Sequence, residues 1–482
     1  MIMESKSILL KSMFVVFVVW SATDTAISQT HAGDDVPDAP QVQSISRLVA
    51  EAALSKEVGV VQVTNRGADT QSKARNRLTR TEAEKMAVKN NPRMSVSQLL
   101  ALAQRQVVRE VQAAKFPTTD AALTAVEAEN GSRISAGSLT SSRLLEHAGA
   151  GVNITQLITD FGRTTNLVTS SKLQEKAQNA NVLATQLDIT LATDQAFYNA
   201  LEGQELLKVA GQNVSARQAL QAQVNQMTAN KLKSTLDLSF ADVNLSQAKL
   251  LLLDAQNNAA SSMAKLDAIL GLDHEVNYQL VDDFVAIQQP PPDIEQLVQQ
   301  GLRQRPDLLA LNLSQQAAVK FSHAQHDQMF PSIGAAGTVG SVPIRPAEYY
   351  TTNWWGAVGV NVKIPLFNGF LYSAQAKEAS IRAQAEAERV RDLRDRIVRD
   401  VRTAWLTANT AYQRVAVTTE LLKEANLSLT LAQTRYKMGL SSIVELSQAE
   451  YQQTDAAIGN TNAIYQYRLA IATLGYQVGS NP

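Results

Sequence analysis

The feature that most restricts the fold of this chain is an internal duplication. Short segments recur in the same order in the two halves, and Pro306 follows Pro92 by 214 residues whereas Gly475 follows Gly271 by 204. A repeat of this kind predicts two copies of one structural unit, about 81–275 and 295–478, with a linker at 276–294. The matched pairs are Pro92 and Pro306, Pro117 and Pro331, Asn153 and Asn361, Asp237 and Glu445, and Gly271 and Gly475.

Each half contains a long segment without proline, at about 163–270 and 370–474, rich in alanine, leucine, glutamine and charged residues. This composition favours long helices. Apolar residues recur at a period near 3.5, which is typical of helices that coil around their neighbours. A single helix over 163–230 would be on the order of 100 Å long at 1.5 Å per residue. A compact domain is too small for such a helix, so the sequence predicts either a rod or a tube.

Upstream of each long segment the hydrophobic period changes to two, which predicts a β-hairpin at about 119–158 and another at about 332–365. In the second hairpin Val358, Val360 and Val362 alternate with small or polar residues. Such a two-sided pattern is typical of a wall between lipid and water. Trp354 and Trp355, at the start of one strand, are predicted to be interfacial aromatic anchors. The alternative is a pair of soluble hairpins that cap a helical rod.

The predicted strands number four in each chain, and about eight are needed to close a barrel. An open sheet edge in lipid leaves backbone groups without hydrogen bonds, at a cost of several kcal/mol for each group. If the strands span a membrane, several copies must therefore close the barrel together, and three copies would supply twelve strands.

The N-terminus has the pattern of an export signal. Lys6 and Lys11 precede a short apolar run, and Ala26-Ile27-Ser28 supplies small residues for cleavage, so residues 1–28 are predicted to be a signal peptide. Residues 29–80 are polar and are predicted to form a flexible N-terminal arm. No later stretch reaches the length of a helical membrane span.

Composition argues against several functional classes. The formal net charge of −1 gives no basic field for nucleic acid, and the absence of cysteine excludes disulfides, thiolate metal sites and cysteine nucleophiles. His323, His326 and Asp327 have a spacing that can hold a metal, but a solvated helix face accounts for them better. Without catalytic or dinucleotide motifs, the chain is predicted to have no catalytic residues, cofactor or metal and not to be an enzyme.

The order and spacing of these segments resemble the TolC family of outer-membrane efflux and secretion channels over about 81–478. The resemblance implies a mainly α fold with a small antiparallel β part. It further implies a homotrimer with a twelve-stranded outer-membrane β-barrel and a long periplasmic α-helical barrel. The segments that carry the resemblance are the duplicated proline sites, Asp160-Phe161-Gly162-Arg163, Ile364-Pro365-Leu366-Phe367-Asn368-Gly369 and Tyr436-Lys437-Met438-Gly439-Leu440-Ser441-Ser442-Ile443-Val444-Glu445-Leu446.

The resemblance also assigns roles to residues at the two turns between long helices, near 230–234 and 438–442. Glu445 and Gln448 match the acidic positions of the periplasmic pore constriction, and the glutamine halves the expected charge. Glu445 equally fits a helix-capping pair with Ser442, and both interpretations remain open.

A latch between neighbouring helix pairs is assigned to positions matched by Asp237, Tyr436 and Ser441. Asp237 and Tyr436 keep the family's residue types, and a hydrogen bond between them is expected to persist. Ser441 replaces an arginine, which predicts a closed state with less salt bridging.

Together these observations predict a passive exit duct of a tripartite efflux or type I secretion system in the cell outer membrane. The resemblance implies a periplasmic adaptor and an inner-membrane transporter as partners, with outer-membrane lipid around the barrel. The alternative is a periplasmic helical adaptor or structural rod without a membrane barrel. The transported substrate is not visible in the sequence.

Overall fold

The computed structural model describes residues 76–127, 133–136, 139–143, 147–272, 278–282, 286–341 and 353–480. The predicted signal peptide and residues 29–75 of the predicted arm lie outside the described residues.

Long helices dominate the described chain, and short strands connect or precede them. The helices are α1 (Arg80–Asn90), α2 (Pro92–Ala113), α3 (Arg163–Ala229), α4 (Thr235–Leu270), α5 (Ile294–Gln304), α6 (Pro306–His326), α7 (Leu371–Lys437) and α8 (Ile443–Val478). The strands are β1 (Asn76–Leu78), β2 (Thr118–Val126), β3 (Arg133–Ala136), β4 (Leu139–Arg143), β5 (His147–Thr159), β6 (Tyr278–Leu280), β7 (Ser332–Ser341) and β8 (Trp355–Lys363).

The duplication is visible in the helix lengths. The long helices α3 and α7 have 67 residues each, and their partners α4 and α8 have 36 each. Each long helix is about 100 Å from end to end. In each half the long helix packs against its shorter partner, so the chain contains two helical hairpins, α3–α4 and α7–α8.

Small side chains allow these helices to approach closely. A Cβ atom added to Gly203 of α3 would lie 3.1 Å from the Cα of Ala259 of α4. Alanine is the most frequent type of buried residue along α3, α4, α7 and α8. In α7 the buried residues that follow the predicted period near 3.5 are Ala383, Val390, Ile397, Val401, Ala404, Ala408 and Ala411.

The helix α6 joins the two repeats, because it packs against both α3 and α7. Within its contact with α3, the Ser170 hydroxyl donates to the carbonyl of Ala317 over 2.8 Å. The corresponding helix of the first repeat, α2, packs along α3.

The main sheet is antiparallel with the strand order β2-β5-β7-β8. Its central pairing, β5 with β7, joins the first repeat to the second, and it sets Val152 opposite Val339. Strand β7 also pairs with β8, where Ala335 lies opposite Val360. Strands β2 and β8 form the two edges of this four-stranded sheet.

Two details differ from the sequence prediction. Residues 76–80 belong to the folded part of the chain rather than to a flexible arm, because Leu78 is 2% exposed and β1 pairs in parallel with β6. β6 itself lies in the predicted linker. Between β2 and β5, the short strands β3 and β4 form an additional antiparallel pair, which the prediction of one simple hairpin in each half omitted.

Candidate functional site

The two helix turns have the same backbone geometry. After α3, Lys231 has a left-handed φ of 60°, and after α7 its counterpart Gly439 has a φ of 74°. In both turns the next amide donates over 2.8 Å to a carbonyl five residues earlier, from Leu232 to Met227 and from Leu440 to Arg435. This is the hydrogen bond that closes many helix C-termini, and it turns the chain sharply toward the next helix.

Asp237 lies in the first turn of α4, where it completes a capping box. The Ser234 side chain accepts hydrogen bonds from backbone amides of the first helical turn. In return, the Ser234 amide donates to the Asp237 carboxylate over 3.3 Å. The carboxylate therefore satisfies a backbone donor that has no partner within the helix.

Glu445 has the corresponding place in α8, but its side chain is used differently. Its amide donates to the Ser442 hydroxyl over 3.3 Å, which is half of a capping box. The carboxylate instead accepts from the Arg435 guanidinium, with Nε and Oε1 3.0 Å apart. Both side chains are about half-exposed, at 54% for Arg435 and 46% for Glu445.

The predicted site residues Gln448, Tyr436 and Ser441 lie near the turn between α7 and α8, and no hydrogen bond joins any two of them. Gln448 is exposed one turn after Glu445. Tyr436 is 3% exposed, and among the described residues its hydroxyl has no hydrogen-bond partner, as is also true of the Ser441 hydroxyl. Within the protomer, the expected hydrogen bond from Tyr436 to Asp237 is therefore not formed.

Tyr436 nonetheless lies between the two hairpins. The Lys233 ammonium is 4.3 Å from the centre of its ring, a cation–π contact from the turn of the first hairpin. Burial raises the pKa of Tyr436, and the negative charge of Asp237 raises this pKa further. The hydroxyl thus stays neutral and keeps its proton available for donation.

An apolar cluster, termed the tip cluster, holds the ends of the two hairpins together. All four long helices contribute to it, so the turns are packed against each other rather than free. Its buried members are Val224, Ala241, Ala432, Tyr436, Ile443, Leu446 and Ala449.

The predicted aromatic anchors lie at the start of β8, at the opposite end of the strand from Lys363 and α7. Trp354 is 66% exposed and Trp355 is 44% exposed. Strand β8 between them and Lys363 spans roughly 30 Å at about 3.3 Å per residue. After the strand, Phe367 and Phe370 are also exposed, and their ring centres lie 5.6 Å apart. The sequence analysis did not predict this second aromatic cluster, although both phenylalanines are present in the sequence just before α7.

His323 and His326 are exposed in the last turn of α6, as a solvated helix face predicts, whereas Asp327 follows the helix and its side chain is largely buried. Asp327 accepts a hydrogen bond from Asn166 over 2.7 Å, which fixes α6 against α3. Across the described part of the chain, no group of three or more histidine, cysteine, aspartate and glutamate side chains is arranged to hold a metal. The helices that the structure describes also include none with the length and apolar character of a membrane span.

Comparison with known proteins agrees with this architecture. The profile of the family described as outer membrane efflux protein matches residues 84–272 and 297–480, which is more than half of the chain. The chain belongs to the outer membrane efflux protein family. Membership confirms the predicted mainly α fold with a small antiparallel β part, the outer-membrane localisation and the role as an efflux duct. As predicted, a protein of this family is a passive channel and not an enzyme.

Relatives of this outer membrane efflux protein are distant in sequence and similar in fold. The outer membrane protein TolC of Vibrio cholerae is 23% identical over 340 residues, which are 69% of this chain and 76% of that protein. A crystal structure of CusC, described as a transmembrane channel, superimposes with a TM-score of 0.74 at 18% identity, over 83% of this chain and 92% of its own. The CmeC outer membrane channel of Campylobacter jejuni superimposes with a TM-score of 0.71 at 16% identity, over 88% and 94% of the two chains.

One residue of the site was not found by sequence analysis. Arg435 contacts the carboxylate of Glu445 from the opposite side of the turn, ten residues earlier in the chain. Its position in the last turn of α7, where a cation interacts favourably with the helix dipole, was the signal that could have identified it.

Proposed function

We propose that three copies of this efflux protein assemble head to tail into one outer-membrane duct, which works with a periplasmic adaptor and an inner-membrane transporter. The observation that carries the proposal is an asymmetry within the duplication. Within the chain, one side of the first repeat packs against one side of the second repeat. The equivalent surfaces on the other side of each repeat do not pack against each other in the part of the chain that the structure describes. A neighbouring copy can supply the missing contact.

The sheet has this asymmetry. The joint between repeats is the pairing of β5 with β7, and the equivalent joint would pair β8 with β2. Within the described residues, the outer edges of β2 and β8 have no partner strand. Because unpaired edges are expensive in lipid, pairing β8 of one copy with β2 of the next removes the cost at both edges.

The helices have the same asymmetry. In α6, Ala310 and Ala317 are 4% and 0% exposed. Their counterparts in α2, at the repeat offset of 214, are Val96 and Ala103, and both are exposed. Val96 continues into an apolar surface with Leu99, so α2 carries an apolar face without a partner among the described residues.

The surface that would receive this face lies on α7. In α3, Ser170 is buried under α6, whereas its counterpart in α7 at the offset of 208 is the exposed Glu378. An identical contact between α2 of one copy and α7 of the next is a heterologous interface, which generates a closed ring when the rotation between copies closes. The family resemblance implies that three copies close it, with twelve strands in the barrel.

Paired cysteines test this arrangement directly, since the natural chain has none. Ala103→Cys combined with Glu378→Cys is expected to give covalent trimers after treatment with a short bismaleimide in outer-membrane fractions. The control is Thr118→Cys with Thr155→Cys, whose exposed side chains face each other within one chain, and it is expected to cross-link without changing the number of chains. If the control pair cross-links and the pair at Ala103 and Glu378 gives no intermolecular product, the proposal is contradicted.

The membrane lies around the sheet in this proposal. Val358 and Val360 lie on one face of β8, and Leu366 follows the strand; these side chains are 90%, 66% and 91% exposed. An apolar face of this kind suits lipid contact. Trp354 and Trp355 would mark one interface, and the cluster of Phe367 and Phe370 would mark the other.

The helix turns form the periplasmic entrance in this proposal, with the Glu445 carboxylates of three copies around the axis and Gln448 one turn farther along α8. The outer parts of the turns expose Leu232, Met438 and Leu440, which are 71%, 64% and 65% accessible. Exposed apolar side chains next to lysines suit contact with a periplasmic adaptor. Leu232→Asp with Leu440→Asp is expected to abolish efflux in cells and to leave trimer formation intact. Unchanged efflux would contradict adaptor contact at the turns.

A further inference from the structure

A buried ion pair connects the two helical hairpins above the tip cluster. The Arg217 guanidinium of α3 donates to the Glu450 carboxylate of α8, and the two side chains are only 8% and 9% exposed. The Nε atom of Arg217 also donates to the Asn213 side chain over 3.3 Å. The pair therefore crosses from the first hairpin to the second and is removed from water.

A second polar contact crosses between the hairpins nearby. The Asn244 side chain of α4 donates to the Ser447 hydroxyl of α8 over 2.8 Å. The contact surface between the hairpins thus has an apolar part close to the turns, which is the tip cluster, and a polar part next to it that includes the buried pair.

The two parts of this surface respond differently when the hairpins separate. Apolar side chains lose stabilisation when water reaches them, whereas charged side chains recover the hydration that burial removed. Burial lowers the pKa of Arg217 and raises the pKa of Glu450, so for each group the loss of hydration outweighs the attraction of the partner. Separation of this pair is therefore cheap compared with separation of an apolar contact of the same size.

We propose that Arg217 and Glu450 are positioning residues of the channel gate: paired, they hold the α7–α8 hairpin against the α3–α4 hairpin, and their hydration on separation allows the gate to open. This inference rests on the proposed function, in which the helix turns form the periplasmic entrance, and it adds that the turns close this entrance when the hairpins are packed together. The pair is distinct from the predicted latch residues Asp237, Tyr436 and Ser441, which lie at the turns themselves.

Three variants distinguish this role from simple packing. Arg217→Met leaves the Glu450 carboxylate buried without a cation, and Glu450→Leu leaves the Arg217 guanidinium without an anion. Each single variant is expected to shift the channel toward the open state, with the ratio of open to closed time raised about tenfold or more. The double variant replaces the pair by an apolar contact and is expected to open no more often than the natural channel.

The measurement is single-channel conductance of the purified full-length protein in planar lipid bilayers, with trimer content checked by gel electrophoresis. Lys423→Met is the matched control, because it removes a cation from an exposed pair with Glu420 within α7. This control is expected to leave the open time unchanged. If either single variant does not assemble, the reversed pair Arg217→Glu with Glu450→Arg takes its place and is expected to conduct like the natural channel.

Single variants that insert as trimers and open no more often than the natural channel would overturn the gate proposal and leave the proposed function standing. A double variant that opens as often as the single variants would also overturn it, because hydration of the charges would then be irrelevant. Natural protein that gives no conductance steps at all would instead contradict the proposed function.

Discussion

Arg435 and Glu445 form an ion pair across the turn between α7 and α8, with Nε and Oε1 3.0 Å apart. The cation lies at the end of one helix and the anion in the first turn of the next, so each charge also interacts favourably with the dipole of its own helix. The acidic residue assigned to the pore constriction therefore has a basic partner of the same protomer beside it.

The pair leads to a prediction about ion selectivity. Removing the cation with Arg435→Gln is expected to increase the preference of the channel for cations, and Glu445→Gln is expected to decrease it. A charge about 8 Å from a permeating ion in water contributes about 0.5 kcal/mol, so the permeability ratio should change about twofold. Reversal potentials in a potassium chloride gradient measure this ratio. Equal ratios for both variants would show that Glu445 does not face the permeating ions.

A second prediction concerns pH. The pKa of Asp194 is raised to about 7, mainly by burial and further by the hydrogen bond to Glu84 and the charge of Glu84. The nearby Arg80 guanidinium lowers this pKa but does not offset the rise. Tyr198 is also close to Asp194. Because the folded state holds a proton that the unfolded chain releases near pH 4, the contribution of Asp194 to stability is fully present below about pH 4 and is lost as the pH rises through about 7.

Asp194→Asn mimics the protonated side chain and is expected to remove this part of the pH dependence, on the order of a few kcal/mol. Thermal unfolding followed by circular dichroism at a series of pH values between 4 and 8 measures it. Glu205→Gln, an exposed carboxylate farther along α3, serves as the control and should keep the natural slope. An unchanged slope in the Asp194 variant would contradict the assignment.

Two glycines of α3 provide a matched pair for a packing prediction. A Cβ at Gly203 would lie 3.1 Å from the Ala259 backbone, whereas a Cβ at Gly211 would meet nothing within 4 Å. Gly203→Val is expected to destabilise the fold by about 1–3 kcal/mol through overpacking. Gly211→Ala is expected to stabilise it by about 0.5–1 kcal/mol through helix propensity. Chemical unfolding monitored by circular dichroism gives both values, and effects of the same sign would contradict close packing at Gly203.

The turns provide another matched comparison. Lys231 adopts a φ of 60° that costs a residue with a Cβ roughly 1 kcal/mol, and Gly439 adopts the equivalent φ without that cost. Lys231→Gly is expected to stabilise the first turn, and Gly439→Ala is expected to destabilise the second by a similar amount. Protease sensitivity at the turns and thermal unfolding measure the two effects. Destabilisation by Lys231→Gly would indicate that the contact of Lys233 with Tyr436 depends on the neighbouring lysine.

The candidate site could be predicted only in part. The resemblance located the two turns between long helices, and at the first of them Ser234 and Asp237 form a complete capping box. The family resemblance led us to expect a hydrogen bond from Tyr436 to Asp237, but the buried Tyr436 hydroxyl has no hydrogen-bond partner in the described part of the protomer. The Tyr436 ring instead contacts Lys233, which is about 200 residues away along the chain and could not be identified as its partner from local sequence.

The sequence by itself determined the duplication, the long helices and the alternating strands, because these depend on the periodicity of neighbouring residues and on where proline is absent. The tertiary structure alone decided which charges meet. Arg217 and Glu450 are 233 residues apart, and nothing local to either residue indicates its partner. The same holds for the joint of β5 with β7, whose register follows from how the two repeats pack. Local patterns set the elements, and contacts between distant elements are fixed only when the helices take their final positions around one another.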